Sequence, residues 1–196
     1  KKMKKIKSFL NEIKLTTENI DQKKIYNLIL ELKTLQTKKG RLVIIGVGGS
    51  AANASHAVND FRKLCNIDAY TPTDNVSELT ARTNDEGWDT IFKGWLQTFR
   101  LNSKDKLLIF SVGGGNLKKN VSTNIIEAIK YAKKCKSKIL SVVGKNDGYS
   151  YKNSDICVFI PVKKKKKVTP VSEAYQAVVW HLIVSHPILQ KNKTKW

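Results

Sequence analysis

Hydrophobic positions recur with a helical period in some stretches of the chain and form short continuous runs in others. Between residues 4 and 35 the apolar residues return every three or four positions, which predicts two amphipathic helices with a break near Thr16-Thr17-Glu18. We expect the first of these helices, which is too exposed to stand alone, to pack on a partner subunit. Continuous apolar runs typical of buried parallel strands lie at 41–46, 107–112, 138–143 and 156–161, and 68–73 suits a short strand or an extended link.

Helical patterns separate these runs. They cover 50–64, 88–99, 122–135 and 171–185, with a shorter helix within 73–81. Asn84-Asp85-Glu86-Gly87 predicts a turn, and His186-Pro187 ends the last helix. Apolar strands that alternate with helices predict a three-layer α/β/α sandwich with a doubly wound parallel sheet.

Glycine-rich turns follow two of the predicted strands. The first turn, Gly46-Val47-Gly48-Gly49-Ser50, differs from the dinucleotide fingerprint GxGxxG because Ala51 replaces the third glycine, although alanine stands there in some variants. The alternative is a sugar-phosphate pocket, since N–H groups at a helix start and a serine hydroxyl bind an oxyanion. The second turn offers the same groups from Ser111 and Gly113-Gly114-Gly115-Asn116. Two such turns at one edge of a parallel sheet favour phosphate binding over a purely structural role.

Histidines and carboxylates recur at helical spacing near these turns. His56 and Asp60 are four residues apart, so their side chains share one helix face. Such a pair is often a surface hydrogen bond, but here it lies at the edge of the predicted pocket. Glu173, Ala177 and His181 recur every four residues on the last helix. Because the residues around His181 are almost all apolar, both a buried core histidine and a functional one stay open.

Composition limits the classes of partner. The formal charge is +20, from 36 Lys+Arg against 16 Asp+Glu, but the excess is nearly all lysine, which reads bases poorly. We therefore expect no specific nucleic-acid binding, and we interpret the five lysines at 163–167 as a solvated loop. No apolar run is long enough to span a membrane, and the start lacks the apolar core of a secretion signal, so we expect a cytoplasmic protein. Three widely spaced cysteines predict reduced thiols.

These motifs as a set resemble the sugar isomerase (SIS) domain family, and most closely its phosphoheptose isomerases. The resemblance rests on the first glycine turn with His56, the Asn84-Asp85-x-Gly87 turn, the Ser111 turn and the spacing of Glu173 and His181. It covers about residues 40–186 and implies a flavodoxin-like fold, a homotetramer with active sites between subunits, and often a zinc ion. We expect 1–38 to be a helical segment that packs on the oligomer, 39–187 to be the SIS domain and 188–196 to be a loose polar tail.

The resemblance also implies roles for individual residues. The family's first-helix histidine falls on His56, its catalytic glutamate on Asp60, its last-helix glutamine on Glu173 and its final histidine on His181. It implies that His181, Asp60 and Glu173 are catalytic and that these three with His56 hold a divalent metal such as zinc. The implied contacts to substrate or phosphate are Gly48, Gly49, Ser50, Asn53, Asp85, Ser111, Gly113, Gly114, Gly115 and Asn116.

The chain departs from the family's pattern at the pocket. Val47 replaces an asparagine, and Ser111-Val112-Gly113-Gly114-Gly115-Asn116 replaces a loop rich in serine and threonine. Phosphate would then be held mainly by backbone N–H groups. Asp60 is one methylene shorter than the family's glutamate, and Glu173 adds a negative charge in place of an amide. These changes leave acid–base chemistry intact but affect the choice of substrate and metal.

An aldose–ketose isomerase needs one group that takes a proton from carbon and another that protonates the carbonyl oxygen as an enediol forms. We predict that Asp60 or Glu173 is the base and that His181 is the acid. On the resemblance, the reaction converts sedoheptulose 7-phosphate to D-glycero-D-manno-heptose 7-phosphate. The alternative is a non-catalytic SIS-domain module that binds a phosphosugar or joins a protein assembly. The joint presence of His56, Asp60, Glu173 and His181 favours the enzyme.

Overall fold

A five-stranded parallel sheet forms the centre of the computed structural model, which describes residues 2–195. The strands are β1 (Arg41–Ile45), β2 (Asp68–Tyr70), β3 (Lys106–Ser111), β4 (Lys138–Val143) and β5 (Ile156–Phe159). Their order is β2-β1-β3-β4-β5, and every neighbouring pair is parallel. The order reverses direction between β1 and β3, so the crevice where such sheets bind ligands opens beyond the carboxyl ends of these two strands.

Helices cover both faces of the sheet. They are α1 (Lys2–Asn19), α2 (Gln22–Thr37), α3 (Gly49–Cys65), α4 (Val76–Glu86), α5 (Ile91–Thr98), α6 (Thr123–Lys134), α7 (Tyr149–Asn153) and α8 (Val168–Ser185). Alternate side chains of β1 point to opposite faces of the sheet, as in any β-strand. Leu42 and Ile44 pack in one core with α2, α3 and α8, whereas Val43 and Ile45 pack in a second core with α5 and α6. The predicted three-layer α/β/α sandwich with a parallel sheet is confirmed.

Three predicted boundaries were wrong for local reasons. The break between α1 and α2 lies at Ile20–Asp21, because Asp21 caps α2 by accepting a hydrogen bond from the Lys24 N–H at 3.1 Å. Asn84-Asp85-Glu86 belongs to α4, and the helix ends only at Gly87, whose φ of +88° ends the helical geometry. Helix α8 starts at Val168, so Pro170 lies in its first turn, where a missing N–H costs little.

The sequence pattern also missed an element and overextended two others. The five-residue helix α7 follows the turn after β4 and was not predicted. The strand expected over 156–161 ends at Phe159, and the stretch expected over 68–73 is a strand only to Tyr70. Such short elements carry too few residues for a period to be visible.

Helix α1 packs on its own chain along one face. Glu12 is buried, and its Oε1 accepts hydrogen bonds from the backbone N–H groups of Lys163 and Lys164 at 2.7 and 3.3 Å. The Tyr175 hydroxyl donates to the Ile13 carbonyl at 2.6 Å. The lysine loop is exposed over 163–166, as predicted, and its backbone is also anchored to α1. Met3, Ile6 and Leu10 stay exposed on the opposite side of α1.

The start of the carboxyl-terminal tail is held against the domain. Leu189 is fully buried, and the N–H groups of Lys191 and Asn192 donate to the Leu64 carbonyl at 2.8 and 3.0 Å. The Gln36 amide also donates to the Leu189 carbonyl, which joins the tail to α2. The expectation of a loose tail was therefore wrong for these residues, because an apolar Ile188-Leu189 pair precedes the polar end.

None of the helices formed by residues 2–195 combines the length and the apolar character that a membrane crossing requires. All three cysteines are free, as their spacing predicts. Burial raises the pKa of the Cys65 thiol to about 12. This thiol is therefore an inert part of the core.

A small ion-pair network joins α2 to the amino ends of β3 and β4. The Glu31 carboxylate lies 3.0 Å from Lys106 Nζ and 2.7 Å from Lys138 Nζ, and both Glu31 and Lys106 are largely buried. Burial alone raises the pKa of Glu31, but hydrogen bonds and charges from Lys138 and Lys106 outweigh it and lower the pKa below its ordinary value of 4.5.

We expect Glu31→Gln to lower the free energy of unfolding by about 3 kcal/mol, because the substitution leaves Lys106 buried without its counter-ion. The lowered pKa means that the carboxylate stabilises the fold above pH 4.5 and that this contribution is lost as the pH falls through the folded-state pKa. Urea unfolding at pH 7 and at acid pH measures both effects. Glu18→Gln is the matched control, since its 3.9 Å pair with Lys14 is exposed and should change stability by less than about 0.5 kcal/mol. Equal effects of the two substitutions would contradict the role of the network.

Candidate active site between helices α3 and α8

Helices α3 and α8 both begin at the carboxyl edge of the sheet and run side by side. The Asn53 side-chain amide of α3 donates to the Glu173 carbonyl at 2.9 Å and to Gln176 Oε1 at 3.0 Å on α8. Further along, the Cys65 thiol donates to the Val184 carbonyl at 3.5 Å. These contacts fix which residues of the two helices face each other.

His56 and Asp60 of α3 meet His181 of α8 on the outer side of this helix pair. Asp60 Oδ2 lies 3.9 Å from His56 Nε2 and 3.9 Å from His181 Nε2. The His56 and His181 side chains are 60% and 53% exposed, whereas that of Asp60 is 15% exposed. The exposure of His181 excludes the interpretation of this residue as a core histidine. The structure thus brings together three of the four residues predicted to form the site.

Hydrogen bonds orient this triad. His181 Nδ1 lies 2.8 Å from the Ala177 carbonyl, which only accepts, so Nδ1 carries the proton and Nε2 faces Asp60. Asp60 Oδ1 accepts from the Asn59 amide at 2.9 Å, which leaves Oδ2 for the histidines. A histidine that donates one ring N–H to a backbone carbonyl and keeps the other nitrogen free is typical of a metal ligand.

Trp180 forms the floor beneath both histidines. Its ring is buried, stacks on His181 at a centroid distance of 3.5 Å, and meets His56 edge-on at 4.6 Å. This role was not predicted, because a tryptophan beside a histidine in an apolar stretch is typical of a core position. The packed ring restricts the rotation of two exposed imidazoles.

The triad suits a divalent metal ion. One ligand atom from each of His56, Asp60 and His181 lies within 4.8 Å of the others. Ligands about 2.1 Å from a zinc ion in tetrahedral geometry are about 3.4 Å apart, so the 3.9 Å pairs would need to close by about 0.5 Å. Three protein ligands that leave a further position open are the arrangement of catalytic zinc sites.

Glu173 lies outside this group in the single chain, so its predicted place as a fourth ligand stays a prediction. Spacing at multiples of four places two residues on one side of a helix but does not bring them together. Glu173 and His181 are eight residues apart, which is about 12 Å along the helix axis.

The Glu173 carboxylate packs instead on the first glycine turn, where α3 begins. A Cβ placed on Gly49 would lie 2.7 Å from Glu173 Oε2, so only glycine leaves room for this carboxylate. Gly48, which precedes the helix, has a φ of +62° that also favours glycine. The positive end of the α3 dipole stabilises a carboxylate at this position. The first turn therefore already has an anionic neighbour from the protein itself.

The second glycine turn is held in shape by hydrogen bonds that use some of its N–H groups. The Ser111 hydroxyl accepts from the Gly114 N–H at 2.9 Å, and the Asn116 N–H donates to the Val121 carbonyl at 2.9 Å. Ser150 of α7 donates to the Gly114 carbonyl through both its hydroxyl and its N–H at 2.8 Å. Within residues 2–195, the Gly113 N–H has no such partner and stays available to an anion.

The remaining residues that were predicted to contact substrate or phosphate lie in different environments. Ser50 is buried in the first turn of α3, and the Asn53 amide is committed to α8. Gly115 has a φ of +82° beside Gly114, which makes glycine necessary for the shape of the second turn. Asp85 is exposed near the end of α4, and across residues 2–195 the only hydrogen bond to its carboxylate comes from the adjacent Asn84 amide. The structure does not bring Asp85 to the triad within one chain.

Comparisons with known proteins agree with this architecture. The family model described as SIS domain matches residues 4–144. Phosphoheptose isomerase from Helicobacter pylori (strain P12) is 27% identical over 154 residues, with 76% of this chain and 76% of that protein covered. The lincomycin biosynthesis protein LmbN from Streptomyces lincolnensis is 30% identical over 154 residues, and the match covers 75% of this chain. The chain spans 56% of the length of LmbN.

Solved structures share the fold over nearly the whole chain. Phosphoheptose isomerase from Neisseria gonorrhoeae superposes with a TM-score of 0.79 at 21% identity, covering 94% of this chain and 97% of that one. A phosphoheptose isomerase from Francisella tularensis gives a TM-score of 0.80 at 19% identity, covering 94% and 96%. The predicted resemblance and fold are confirmed.

We expect the metal-free protein to bind one zinc ion per chain in a calorimetric titration. Asp60→Asn should weaken that affinity by at least about tenfold, because a ligand is lost from the triad. Glu173→Gln is the matched control and should leave the zinc affinity within about twofold, since Glu173 lies about 12 Å along α8 from His181. An equal loss in the two variants would return Glu173 to the ligand set.

Proposed function

We propose that this chain, which belongs to the SIS domain family, isomerises a sugar phosphate between its aldose and ketose forms. The observation that carries the proposal is that Asp60 of α3 lies 3.9 Å from His181 of α8. Both residues lie beyond the edge of the sheet at which we propose that phosphate binds. The relatives that are named phosphoheptose isomerase support an enzyme of this class.

Asp60 and His181 act as the proton-transfer pair. In an enediol reaction the two protons move at neighbouring carbons, so the base and the acid must lie within a few ångströms of each other. Asp60 Oδ2 and His181 Nε2 are 3.9 Å apart and meet this requirement. Asp60 removes the proton from carbon, and the protonated Nε2 of His181 gives a proton to the carbonyl oxygen while Nδ1 stays bonded to Ala177.

Glu173 has a different role within one chain. Its position against Gly49 places a negative charge at the first turn, so a phosphate avoids that turn and binds at the second one. There the Gly113 N–H and the neighbouring backbone receive the anion. Glu173 then accepts hydrogen bonds from sugar hydroxyls between the phosphate and the reacting carbons.

A divalent ion, when bound by His56, Asp60 and His181, would polarise the oxygens of the substrate. Because Asp60 and His181 then serve as ligands, they are weaker proton carriers in that state. Isomerisation measured with added zinc and with a chelator therefore reports which state turns over.

Sedoheptulose 7-phosphate is the substrate we propose, with D-glycero-D-manno-heptose 7-phosphate as product. The relatives named phosphoheptose isomerase support a seven-carbon sugar phosphate.

The active form is a homotetramer with sites between subunits. Val178 and Leu182 flank His181 on α8 and are 52% and 42% exposed. Met3, Ile6 and Leu10 make a second exposed apolar strip on α1. Apolar surface next to a reactive pair is typical of a face covered by another chain. The protein is cytoplasmic in this proposal, where its phosphorylated substrate is found.

Incubation with a panel of ketose phosphates, sedoheptulose 7-phosphate included, tests the function. We expect isomerisation by the wild type, and a turnover lower by about 2 to 4 orders of magnitude in His181→Ala and Asp60→Asn, because each removes a proton carrier. Glu173→Gln should mainly raise KM and lower kcat less. Circular dichroism checks that each variant is folded.

Three outcomes would contradict these assignments. Near-normal isomerisation by His181→Ala would remove it as the acid. A larger loss of kcat in Glu173→Gln than in Asp60→Asn would make Glu173 the base. Absence of turnover on every sugar, with and without zinc, would favour the non-catalytic SIS-domain module, which binds a phosphosugar or joins a protein assembly.

We expect light scattering after gel filtration to give the mass of a tetramer for the wild type. Val178→Glu with Leu182→Glu should dissociate it, because charges cannot be buried in an apolar interface without partners. Val76→Glu is the matched control, since Val76 is exposed at the start of α4 and glutamate is favourable there. A monomeric wild type would contradict the proposed assembly.

A further inference from the structure

A single buried ring joins the two histidines of the triad across the helix pair. The indole of Trp180 on α8 is 1% exposed and stacks on His181, with the ring planes at 30° and the centroids 3.5 Å apart. The same indole meets His56 of α3 at 4.6 Å, with the planes at 61°. The two imidazoles lie 5.5 Å from each other. Trp180 therefore contacts one imidazole from each helix.

The imidazole of His56 depends on ring contacts for its position. Its side chain is 60% exposed, and within the described residues 2–195 it forms no hydrogen bond. Asp60 Oδ2 lies 3.9 Å from His56 Nε2, which is too long for a hydrogen bond. An exposed side chain without hydrogen bonds exchanges rapidly among rotamers unless packing prevents it. The indole of Trp180 supplies that packing.

His181 is restrained by two contacts of different kinds. The 2.8 Å contact of Nδ1 with the Ala177 carbonyl fixes one atom of the ring. The stack on Trp180 fixes the plane of the ring, which a single hydrogen bond leaves free to tilt. The two contacts together keep Nε2 directed at Asp60.

The flat face of the indole, and not its N–H group, explains a tryptophan at this position. Trp180 Nε1 is buried and has no hydrogen-bond partner among residues 2–195. The ring belongs to the same buried cluster as Phe61 and Val184, so packing holds it in place. A phenylalanine would supply a flat face to the imidazoles without the loss of a hydrogen bond.

Ligands that are ordered in advance bind a metal ion more tightly. A side chain that is fixed only on binding loses conformational entropy at that step, whereas a side chain that packing already restrains has less to lose. Residues that orient metal ligands from behind typically change metal affinity by about 10–100-fold. Proton transfer depends on position in the same way, because a small displacement of a reacting group lowers its rate.

We propose that Trp180 is a positioning residue, which holds His56 and His181 in the geometry that metal binding and proton transfer both require. The inference rests on the proposed function, because it takes the triad of His56, Asp60 and His181 as the reactive site. Trp180 acts only through the two histidines, since its ring lies beneath them and is buried.

Zinc calorimetry on the metal-free protein and steady-state kinetics test this role in three variants. We expect Trp180→Leu to weaken zinc affinity by about tenfold or more and to lower kcat by a similar factor, with KM within about twofold. Trp180→Phe should restore both values to within about threefold of the wild type. Phe92→Leu is the matched control, because it removes a fully buried ring from the core on the other face of the sheet. It should lower the thermal unfolding midpoint but keep zinc affinity and kcat.

Nuclear magnetic resonance of the imidazole C–H groups gives a readout that needs neither metal nor substrate. The chain has three histidines, and His186, which contacts Tyr26 at 6.3 Å, is the internal reference. We expect the indole ring current to move the His181 signals upfield in the wild type. In Trp180→Leu these signals should return to the range of an unstacked histidine, while those of His186 stay in place.

Three results would overturn the positioning role. The first is a Trp180→Leu variant that keeps the wild-type zinc affinity and kcat. The second is an equal loss of both in Phe92→Leu, which would make the effect one of general stability. The third is a Trp180→Phe variant as weak as Trp180→Leu, which would exclude the flat face as the cause. A wild type that neither binds zinc nor isomerises any sugar phosphate would contradict the proposed function, whereas the resonance of metal-free His181 tests the restraint by Trp180 separately.

Discussion

The contact between α3 and α8 is the constraint on which the candidate site depends. Ala54 and Ala57 are fully buried and let the helices approach closely, while Phe61 and Trp180 fill the space around them. The Asn53 amide adds two hydrogen bonds that fix the register of one helix against the other. Because both helices start at the same edge of the sheet, this register brings His56 and Asp60 to His181. A shift by one turn would separate the pair by about 5 Å.

The two glycine turns differ in the charge of the side chains around them. The sequence repeats a strand, a glycine turn and a helix, so the turns look alike as anion sites. In the structure Glu173 packs on Gly49 at the first turn, whereas the second turn faces a cleft lined by Lys145 and Lys165. Local electrostatics thus distinguishes two similar backbone shapes, and our proposal places the phosphate at the turn without the carboxylate. The proposed role of Glu173 follows from this asymmetry.

The sequence pattern correctly predicted those features that depend only on the spacing of neighbouring residues. The apolar runs located the strands, and β4 matches its predicted bounds. The spacing of His56 and Asp60 correctly placed them on one helix face. The position of Glu173 could not be predicted in this way, because a period of four gives direction and not distance. Trp180 was missed for another reason: its role arises from its contact with His56 on α3, an element distant in the chain.

The exposure of the triad has a physical consequence for the proposed chemistry. Proton transfer between a carboxylate, a carbon and an imidazole proceeds best where water is excluded, since water weakens each electrostatic interaction. His56 and His181 are more than half exposed in the single chain, and no element from residues 2–195 covers them. Val178 and Leu182, on either side of His181, are apolar and equally uncovered. A second copy that buries these two side chains would exclude water from the triad in the same step, so the proposed assembly and the proposed chemistry both depend on this face of α8.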